Sequence, residues 1–316
     1  MTKYLVTGGA GFIGSNIVRK LLKEKKQVRV IDNLSTGKKE NLLGVLSQIE
    51  FIQGELTHLP TVKKAVDGIE YVLHQGAIPS VPRSIEDPLK STEANVIGTL
   101  NLLVASRESE VKRVVYASSS SIYGDTPTLP KIEGMSPLPK SPYAVSKLAG
   151  EHYCQVFYHI YGLETVCLRY FNIFGPHQDP NSHYAAVIPK FISAILNRIP
   201  PIVYGDGLQS RDFTYVYNAV KANLQACEAE GVGGEVFNIA CGERYNMVRL
   251  IEVINSITGT NINPIHQEPR KGDVKHSLAD ISKAKKLLGY NPIVDFEEGI
   301  KRTISFYQNG KEDKGF

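Results

Sequence analysis

The chain has 316 residues, 42% of them hydrophobic and 22% charged, enough for one large or two intimately joined globular domains. No apolar run reaches the roughly 18 residues a membrane helix needs, and a formal charge of +4 is too mild to mark a nucleic-acid binder. The cysteines, Cys154, Cys167, Cys227 and Cys241, are widely spaced, with no CxxC pair and no His-Cys cluster, so no metal site is expected.

The start, Met1-Thr2-Lys3-Tyr4-Leu5-Val6, runs straight into a strand and a glycine turn, unlike a signal peptide, and a cytoplasmic location is expected. Residues 4–7, 28–31, 50–52, 71–74, 114–117 and 165–169 read as strands. Residues 12–23, 62–66, 89–106 and 142–161 read as the helices between them. Such alternation predicts a parallel sheet covered on both faces. From about Asn172 the pattern loosens, with helices expected over 187–196, 217–229, 247–257 and 281–288 and strands at 202–204 and 236–239. The expected architecture is α/β: a doubly wound parallel sheet of the Rossmann type in residues 1–171, to which later segments return. A smaller α/β lobe in 172–316 lies over the carboxyl edge of the sheet, where ligands bind in such folds.

Gly8, Gly11 and Gly14 sit between the first strand and the first helix, where a dinucleotide fold needs a tight turn, a close backbone approach to pyrophosphate and a helix N-terminus. The spacing is GxxGxxG rather than GxGxxG, so its position carries the reading. Asp32 ends the second strand, 18 residues after Gly14. A carboxylate there accepts from the adenosine ribose and repels a 2′-phosphate, which favours NAD over NADP.

Tyr143 and Lys147 are four apart, behind a helix start at Ser141-Pro142. A free tyrosine, with a pKa of about 10, is a poor base at neutral pH. A neighbouring ammonium and a cationic nicotinamide favour its phenolate. The pair can therefore take a hydroxyl proton while the same carbon loses hydride.

These motifs, with Ser118 to Tyr123 and Gly124-Asp125, Arg169-Tyr170-Phe171-Asn172, Gly205-Asp206-Gly207, Ser210-Arg211-Asp212-Phe213 and Arg270-Lys271-Gly272-Asp273, resemble the nucleotide-sugar epimerases among the extended short-chain dehydrogenase/reductases. The resemblance spans nearly the whole chain. It implies that Ser119 bonds the reacting C4 oxygen, that Tyr143 is the base and that Lys147 is its partner. It implies NAD contacts at Gly8, Gly11, Phe12, Ile13, Gly14, Asp32, Asn33, Ser35, Thr36, Gly37, Glu55, Leu56, Gln75, Gly76, Ala77, Asn95, Tyr143, Lys147 and Tyr170. Phe171 falls where the family packs against the nicotinamide. The implied UDP-sugar site comprises Ser80, Val81, Ser119, Ser120, Ser121, Tyr143, Asn172, Val187, Ile202, Tyr204, Gln209, Arg211, Arg270, Asp273 and Ser277. Among these, Val187, Ile202 and Tyr204 match a uridine pocket, Arg211 and Arg270 a diphosphate grip, and Asp273 a ribose ligand. Two places depart from the family: Gly54-Glu55 stands where Gly-Asp is common, and Gln75-Gly76 where many members have Leu-Ala. A homodimer through helices 89–106 and 151–161 is also implied.

Dehydratases of this family carry Asp and Glu where this chain has Ser120 and Ser121. Serines cannot supply that acid–base chemistry, so the resemblance points to inversion at C4 through a 4-keto sugar. Ser277, seven residues after Arg270, matches a position that gates the sugar pocket. A small residue there implies room for a 2-acetamido group, hence interconversion of UDP-N-acetylglucosamine and UDP-N-acetylgalactosamine, with UDP-glucose and UDP-galactose also accepted. The alternatives are a UDP-glucose 4-epimerase, a UDP-glucuronate 4-epimerase with Arg83 facing C6, and a non-catalytic NAD-sensing regulator, which would be expected to lose Tyr143 and Lys147.

Overall fold

A computed structural model describes residues 2–182, 185–269 and 275–309. Its centre is a seven-stranded sheet of Lys3–Thr7 (β1), Gln27–Asp32 (β2), Glu50–Gln53 (β3), Tyr71–His74 (β4), Arg113–Ser119 (β5), Glu164–Tyr170 (β6) and a later strand, Val236–Ile239. Between β6 and that strand lie Ile173–Phe174 (β7), Ile202–Tyr204 (β8), Ser210–Arg211 (β9) and Thr214–Tyr215 (β10), so Val236–Ile239 is β11. Tyr245–Asn246 (β12) and Ile265–Gln267 (β13) follow. The spatial order is β11-β6-β5-β4-β1-β2-β3, and every pairing is parallel. The order reverses between β1 and β4, where the crevice of a doubly wound sheet opens.

Strand alternation divides the core between the two faces. Tyr4 and Val6 of β1, and Val115 and Ala117 of β5, join Ile17, Val18 and Leu21 of Phe12–Lys23 (α1) on one face. Leu5, Val114 and Tyr116 point the other way, onto Val62 and Ala65 of Leu59–Val66 (α2). Each such buried aliphatic contributes about 1.5–3 kcal/mol.

The predicted helix over 89–106 is divided. Val81–Glu86 (α3) precedes it, Pro88–Thr92 (α4) opens it, Glu93–Ile97 is a π-helical turn, and Gly98–Glu108 (α5) completes it. The wide turn places Asn95 inward, where its side chain bonds Ile78 and Ser146, the kind of local cause such turns have. Pro142–Tyr161 (α6) lies on the face that holds α2, with Cys154 and Phe157 in its core.

Val187–Leu196 (α7) follows the sheet, then Val216–Glu228 (α8), which covers the α1 face through Ala219 and Val220. Met247–Thr258 (α9) and Ser282–Leu288 (α10) come next. A final helix, Phe296–Gln308 (α11), lies in a segment for which no element is predicted. It is capped by Asp295 and buries Phe296, Ile300 and Ile304 at helical spacing. Three two-stranded pairings, β7 with β10, β9 with β12 and β8 with β13, lie outside the seven-stranded sheet.

Candidate active site

The turn after β1 is built from residues that cannot carry a side chain. Gly8 has φ +66, and a Cβ there would stand 2.8 Å from the Gly76 backbone, so the turns after β1 and β4 touch. At Gly14 a Cβ would collide with the Gly8 carbonyl. Gly11 begins α1 without a side-chain cap, leaving the first N–H groups of the helix to an anion.

Asp32, buried at the end of β2, accepts from Ala10 N at 2.9 Å and Leu34 N at 2.8 Å. Burial raises its pKa, and the two N–H groups oppose that rise. A carboxylate offers about four lone-pair sites, so it retains capacity for a ribose diol. The loop of Asn33, Ser35, Thr36 and Gly37 is fastened to the glycine turn by Lys38 N and Asn41 Nδ2, both donating to Ala10 O at 2.9 Å. The Lys38 ammonium pairs with Asp179 at 2.6 Å, which engages the nearest cation that a 2′-phosphate would seek. Phe12 and Ile13 open α1. A cradle of this shape, with a buried acid and no room for a Cβ, fits an adenine dinucleotide.

The remaining cofactor candidates divide by exposure. Glu55 is exposed and accepts from Thr57 Oγ1 at 3.2 Å. Leu56 packs where a Cβ on Gly76 or Gly98 would stand. Gly76 N donates to Thr7 Oγ1 at 3.0 Å, with Ala77 next in the turn. Asn95 is buried, accepting from Ile78 N at 2.7 Å and donating to Ser146 Oγ at 3.1 Å, so its side chain shapes the turn that carries Ala77. Gln75 links to Tyr170 and Asn223: Tyr170 Oη donates to its Oε1 at 3.2 Å, and its Nε2 donates to Asn223 Oδ1 at 3.0 Å. Burial pushes the Tyr170 phenol up to about 12. Asn223 carries no signal in the sequence, because it reaches the cleft only through the packing of α8.

Tyr143 and Lys147 project from the first turns of α6, which Ser141 caps by accepting from Ala144 N at 3.2 Å. Lys147 Nζ donates to Ala117 O at 2.8 Å and lies 5.0 Å from the centre of the Tyr116 ring. Burial brings its pKa down to about 8, with Cys154 and Glu151 pulling the other way. Burial raises the Tyr143 pKa, and a hydrogen bond with Ser119 lowers it. Ser119 ends β5 and accepts from Ser121 N at 3.2 Å; Ser120 opens the 3-10 turn that follows. The Ser121 hydroxyl is buried without a hydrogen-bond partner among the described residues. Ser80 holds φ +140, a strained value for a side-chain-bearing residue, and caps α3, whose first residue is Val81.

In the sheet register Ser119 faces Tyr170. Two residues beyond Tyr170, Asn172 opens a cavity of about 320 Å3. It brings together Asn172, Val187, Ile202, Tyr204, Gln209 and Arg211, six residues singled out in the sequence. Gln209 Nε2 donates to Tyr204 O at 2.8 Å, and Arg211 donates to Ser210 O at 3.0 Å. The cavity also takes in Lys190, Phe191, Phe213 and Met247, which the sequence analysis misses. The first two share a helical face with Val187, a spacing that could have found them. Phe213 and Met247 arrive by the pairing of β9 with β12. Ser277 stands behind Asn172, its hydroxyl 3.1 Å from Asn172 Nδ2. Arg270 and Asp273 lie outside the described residues.

The chain thus combines a buried tyrosine–lysine pair beside the end of β5, a glycine turn with a buried acid after β1, and a cavity large enough for part of a ligand. Residues 4–240 match the NAD dependent epimerase/dehydratase family. A UDP-N-acetylglucosamine 4-epimerase from Methanobrevibacter ruminantium, solved with UDP-N-acetylmuramic acid, is 42% identical, with a TM-score of 0.93 over 98% of this chain and 99% of that one. The UDP-glucose 4-epimerase of Thermotoga maritima, solved with UDP-glucose, is 37% identical, with a TM-score of 0.94 over 98% and 100% of the two chains. A UDP-glucuronic acid 4-epimerase from Bacillus cereus, solved with UDP-glucuronic acid and NAD, is 33% identical, with a TM-score of 0.90 over 98% and 99%.

Proposed function

The chain belongs to the NAD-dependent epimerase/dehydratase family, and from that premise we propose that it interconverts UDP-N-acetylglucosamine and UDP-N-acetylgalactosamine by inversion at C4. The coarser assignment, a UDP-sugar 4-epimerase, is common to the relatives described above, and the family is NAD dependent. The choice of sugar rests on Ser277, which puts a hydroxyl rather than a ring against the side chain of Asn172.

Gly8, Gly11, Gly14 and Asp32 would hold NAD, which supplies the acceptor for the hydride that C4 loses and regains. Ser119 holds the C4 oxygen. Tyr143 takes its proton as the C4 carbonyl forms and returns it when the carbonyl is reduced. Lys147, as an ammonium, lowers the cost of the phenolate. Asn172 and Arg211, with Arg270, grip the diphosphate, and a guanidinium suits that task because its planar fork donates to two oxygens. With binding concentrated on the nucleotide, the cavity leaves the oxidised hexose free to present its other face.

The protein also works as a homodimer. Helices α3, α4 and α6 pack together and leave Ile85, Leu89 and Ile160 between 64% and 82% exposed, an apolar surface of the kind a partner covers.

The deciding experiment incubates purified protein with UDP-N-acetylglucosamine, no NAD added, and follows the sugar by proton NMR. Appearance of UDP-N-acetylgalactosamine is the expected result. Turnover of UDP-glucose or UDP-glucuronate alone overturns the choice of sugar and leaves the reaction class standing.

A further inference from the structure

Helix α6 presents Tyr143, Lys147 and Glu151 at intervals of four, on one face. Three consecutive residues of β5 meet them. The Ala117 carbonyl accepts from Lys147 Nζ at 2.8 Å, the Ser118 hydroxyl donates to Glu151 Oε1, and Ser119 acts on Tyr143, lowering its pKa. Only Glu151 has no part in the chemistry described above, yet it is 2% exposed.

Both Glu151 oxygens are held by Arg169, through Nε at 2.9 Å and Nη2 at 2.8 Å. Arg169 Nη1 donates to the Tyr123 hydroxyl at 2.8 Å and the Glu133 carbonyl at 3.2 Å. Tyr123 in turn donates to Asn238 Oδ1 at 2.7 Å. The catalytic helix is thus bolted to β5, β6 and β11 by one buried ion pair and its neighbours. Buried ion pairs are poor stabilisers, since apolar residues of the same volume often serve as well or better. The position of this one, a turn beyond Lys147, calls for a role in the site.

We propose that Glu151, oriented by Arg169, is a positioning residue for the Tyr143–Lys147 pair: it sets the catalytic helix against β5 and supplies the buried negative charge that offsets the Lys147 ammonium. This inference rests on the reading of Tyr143 and Lys147 as the proton-transfer pair.

The side chains that act on Lys147 include Glu151 and Cys154 from its own helix, Tyr116 from β5 and His74 from β4. Of these, Glu151 alone carries a carboxylate, and it pairs with Arg169 of β6 at 2.8 Å. His74 is uncharged, held between two threonine hydroxyls. Without Glu151, Lys147 and Arg169 are two buried cations with no counter-charge, and the lysine, unlike arginine, can relieve that by losing its proton. A neutral amine no longer favours the Tyr143 phenolate.

The test compares wild type, Glu151→Gln and the double variant Glu151→Gln/Arg169→Met. Lys147 is titrated through the carbon-13 resonance of its ε-methylene, assigned by its loss in Lys147→Arg. The pH profiles of kcat and KM are measured with whichever UDP-hexose the wild type epimerises, and folding is checked by circular dichroism. In Glu151→Gln the Lys147 midpoint falls by on the order of one pH unit. The alkaline limb of kcat moves with it, and KM stays within about twofold, as expected when transition-state stabilisation alone is lost. An unmoved midpoint in folded Glu151→Gln overturns the proposal, whatever the activity. If Glu151→Gln does not fold, the double variant decides: it should fold and show a smaller fall in the same direction, because the Arg169 charge is removed with that of Glu151. A wild-type midpoint there, or failure to fold, also overturns the proposal. A wild-type protein that epimerises no UDP-hexose overturns the functional reading instead, and the resonance still decides the role of Glu151.

Discussion

Asn172 donates its side-chain amide to the Ser277 hydroxyl over 3.1 Å, joining residues 105 apart in the chain. Asn172, at φ +39, follows β6 and lines the cavity of about 320 Å3. Ser277 is fixed independently, because its N–H donates to Ser210 O at 3.0 Å. Backbone pairing therefore sets where residue 277 stands, and the size of its side chain sets how much room lies behind Asn172.

Replacing Ser277 by tyrosine fills that room. Turnover of UDP-N-acetylglucosamine by Ser277→Tyr should fall at least about 100-fold, and turnover of UDP-glucose should change by less than about threefold. Losing space for a small group costs 1–3 kcal/mol or more, whereas the smaller sugar needs none of it. Rates from proton NMR with both substrates test this. Equal loss on both would mean that residue 277 supports the wall without gating the sugar.

The Tyr143–Lys147 pair makes a prediction about pH. Lys147 acts as a cation, and its pKa is lowered to about 8, first by burial. Raising the pH through that value removes the charge, so kcat should fall on the alkaline side near pH 8. A guanidinium does not deprotonate in this range. Lys147→Arg should therefore keep part of the activity and lose the alkaline limb. Tyr143→Phe should lower kcat by about 10²–10⁴-fold at every pH, the usual scale for removing a general base. A limb that persists unchanged in Lys147→Arg would assign it to another group.

His74 predicts how stability depends on acid. The Thr99 hydroxyl donates to Asn95 O at 2.6 Å, so at 2.9 Å it accepts from His74 Nε2. His74 Nδ1 then accepts from the Thr7 hydroxyl at 2.7 Å. That network needs a neutral ring. Burial first, then the charge on Lys147, pushes the His74 pKa down to about 3 from its ordinary 6.5. The unfolded chain binds the proton more readily, so this contribution is complete above about pH 6.5 and is lost as the pH falls toward 3. His74→Phe should lower Tm at pH 7, because Thr7 and Thr99 each lose a partner. It should also flatten the fall of Tm between pH 6.5 and 4. Parallel melting curves for the two proteins over that range would show that another group sets the acid limb.

What the sequence reveals follows from how local each feature is. Strands β1, β4, β5 and β6 are buried on both faces and read directly as short apolar runs, and the glycine turn, Asp32, Tyr143 and Lys147 belong to motifs within a few residues of one another. The π-helical turn at Asn95 is invisible in the sequence, since it depends on Ile78 and Ser146. Asn223, Phe213 and Met247 reach the site only through packing of α8 and pairing of β9 with β12. The Glu151–Arg169 pair is equally hidden, because its partners lie 18 residues apart on a helix and a strand. By contrast, α11 is legible: Asp295 precedes Phe296, Ile300 and Ile304 at helical spacing, a cap and stripe that the sequence analysis leaves unread.

Leu89 is 82% exposed on α4 and Ile160 69% exposed on α6, and these two helices pack against each other. An isolated exposed leucine needs no explanation, but large aliphatics left exposed along adjoining helices offer a partner apolar surface whose burial is worth about 1.5–3 kcal/mol per side chain. The two-fold symmetry usual for such assemblies doubles that gain, since each residue is buried once on each subunit. Introducing charge at both positions opposes burial in both copies at once. Leu89→Glu/Ile160→Glu should therefore sediment as a monomer at concentrations where the wild type is a dimer, with its far-ultraviolet circular dichroism unchanged, because neither side chain belongs to the core. A variant that remains dimeric would place the interface on another face of the molecule, and a wild type that is monomeric throughout would remove the dimer altogether.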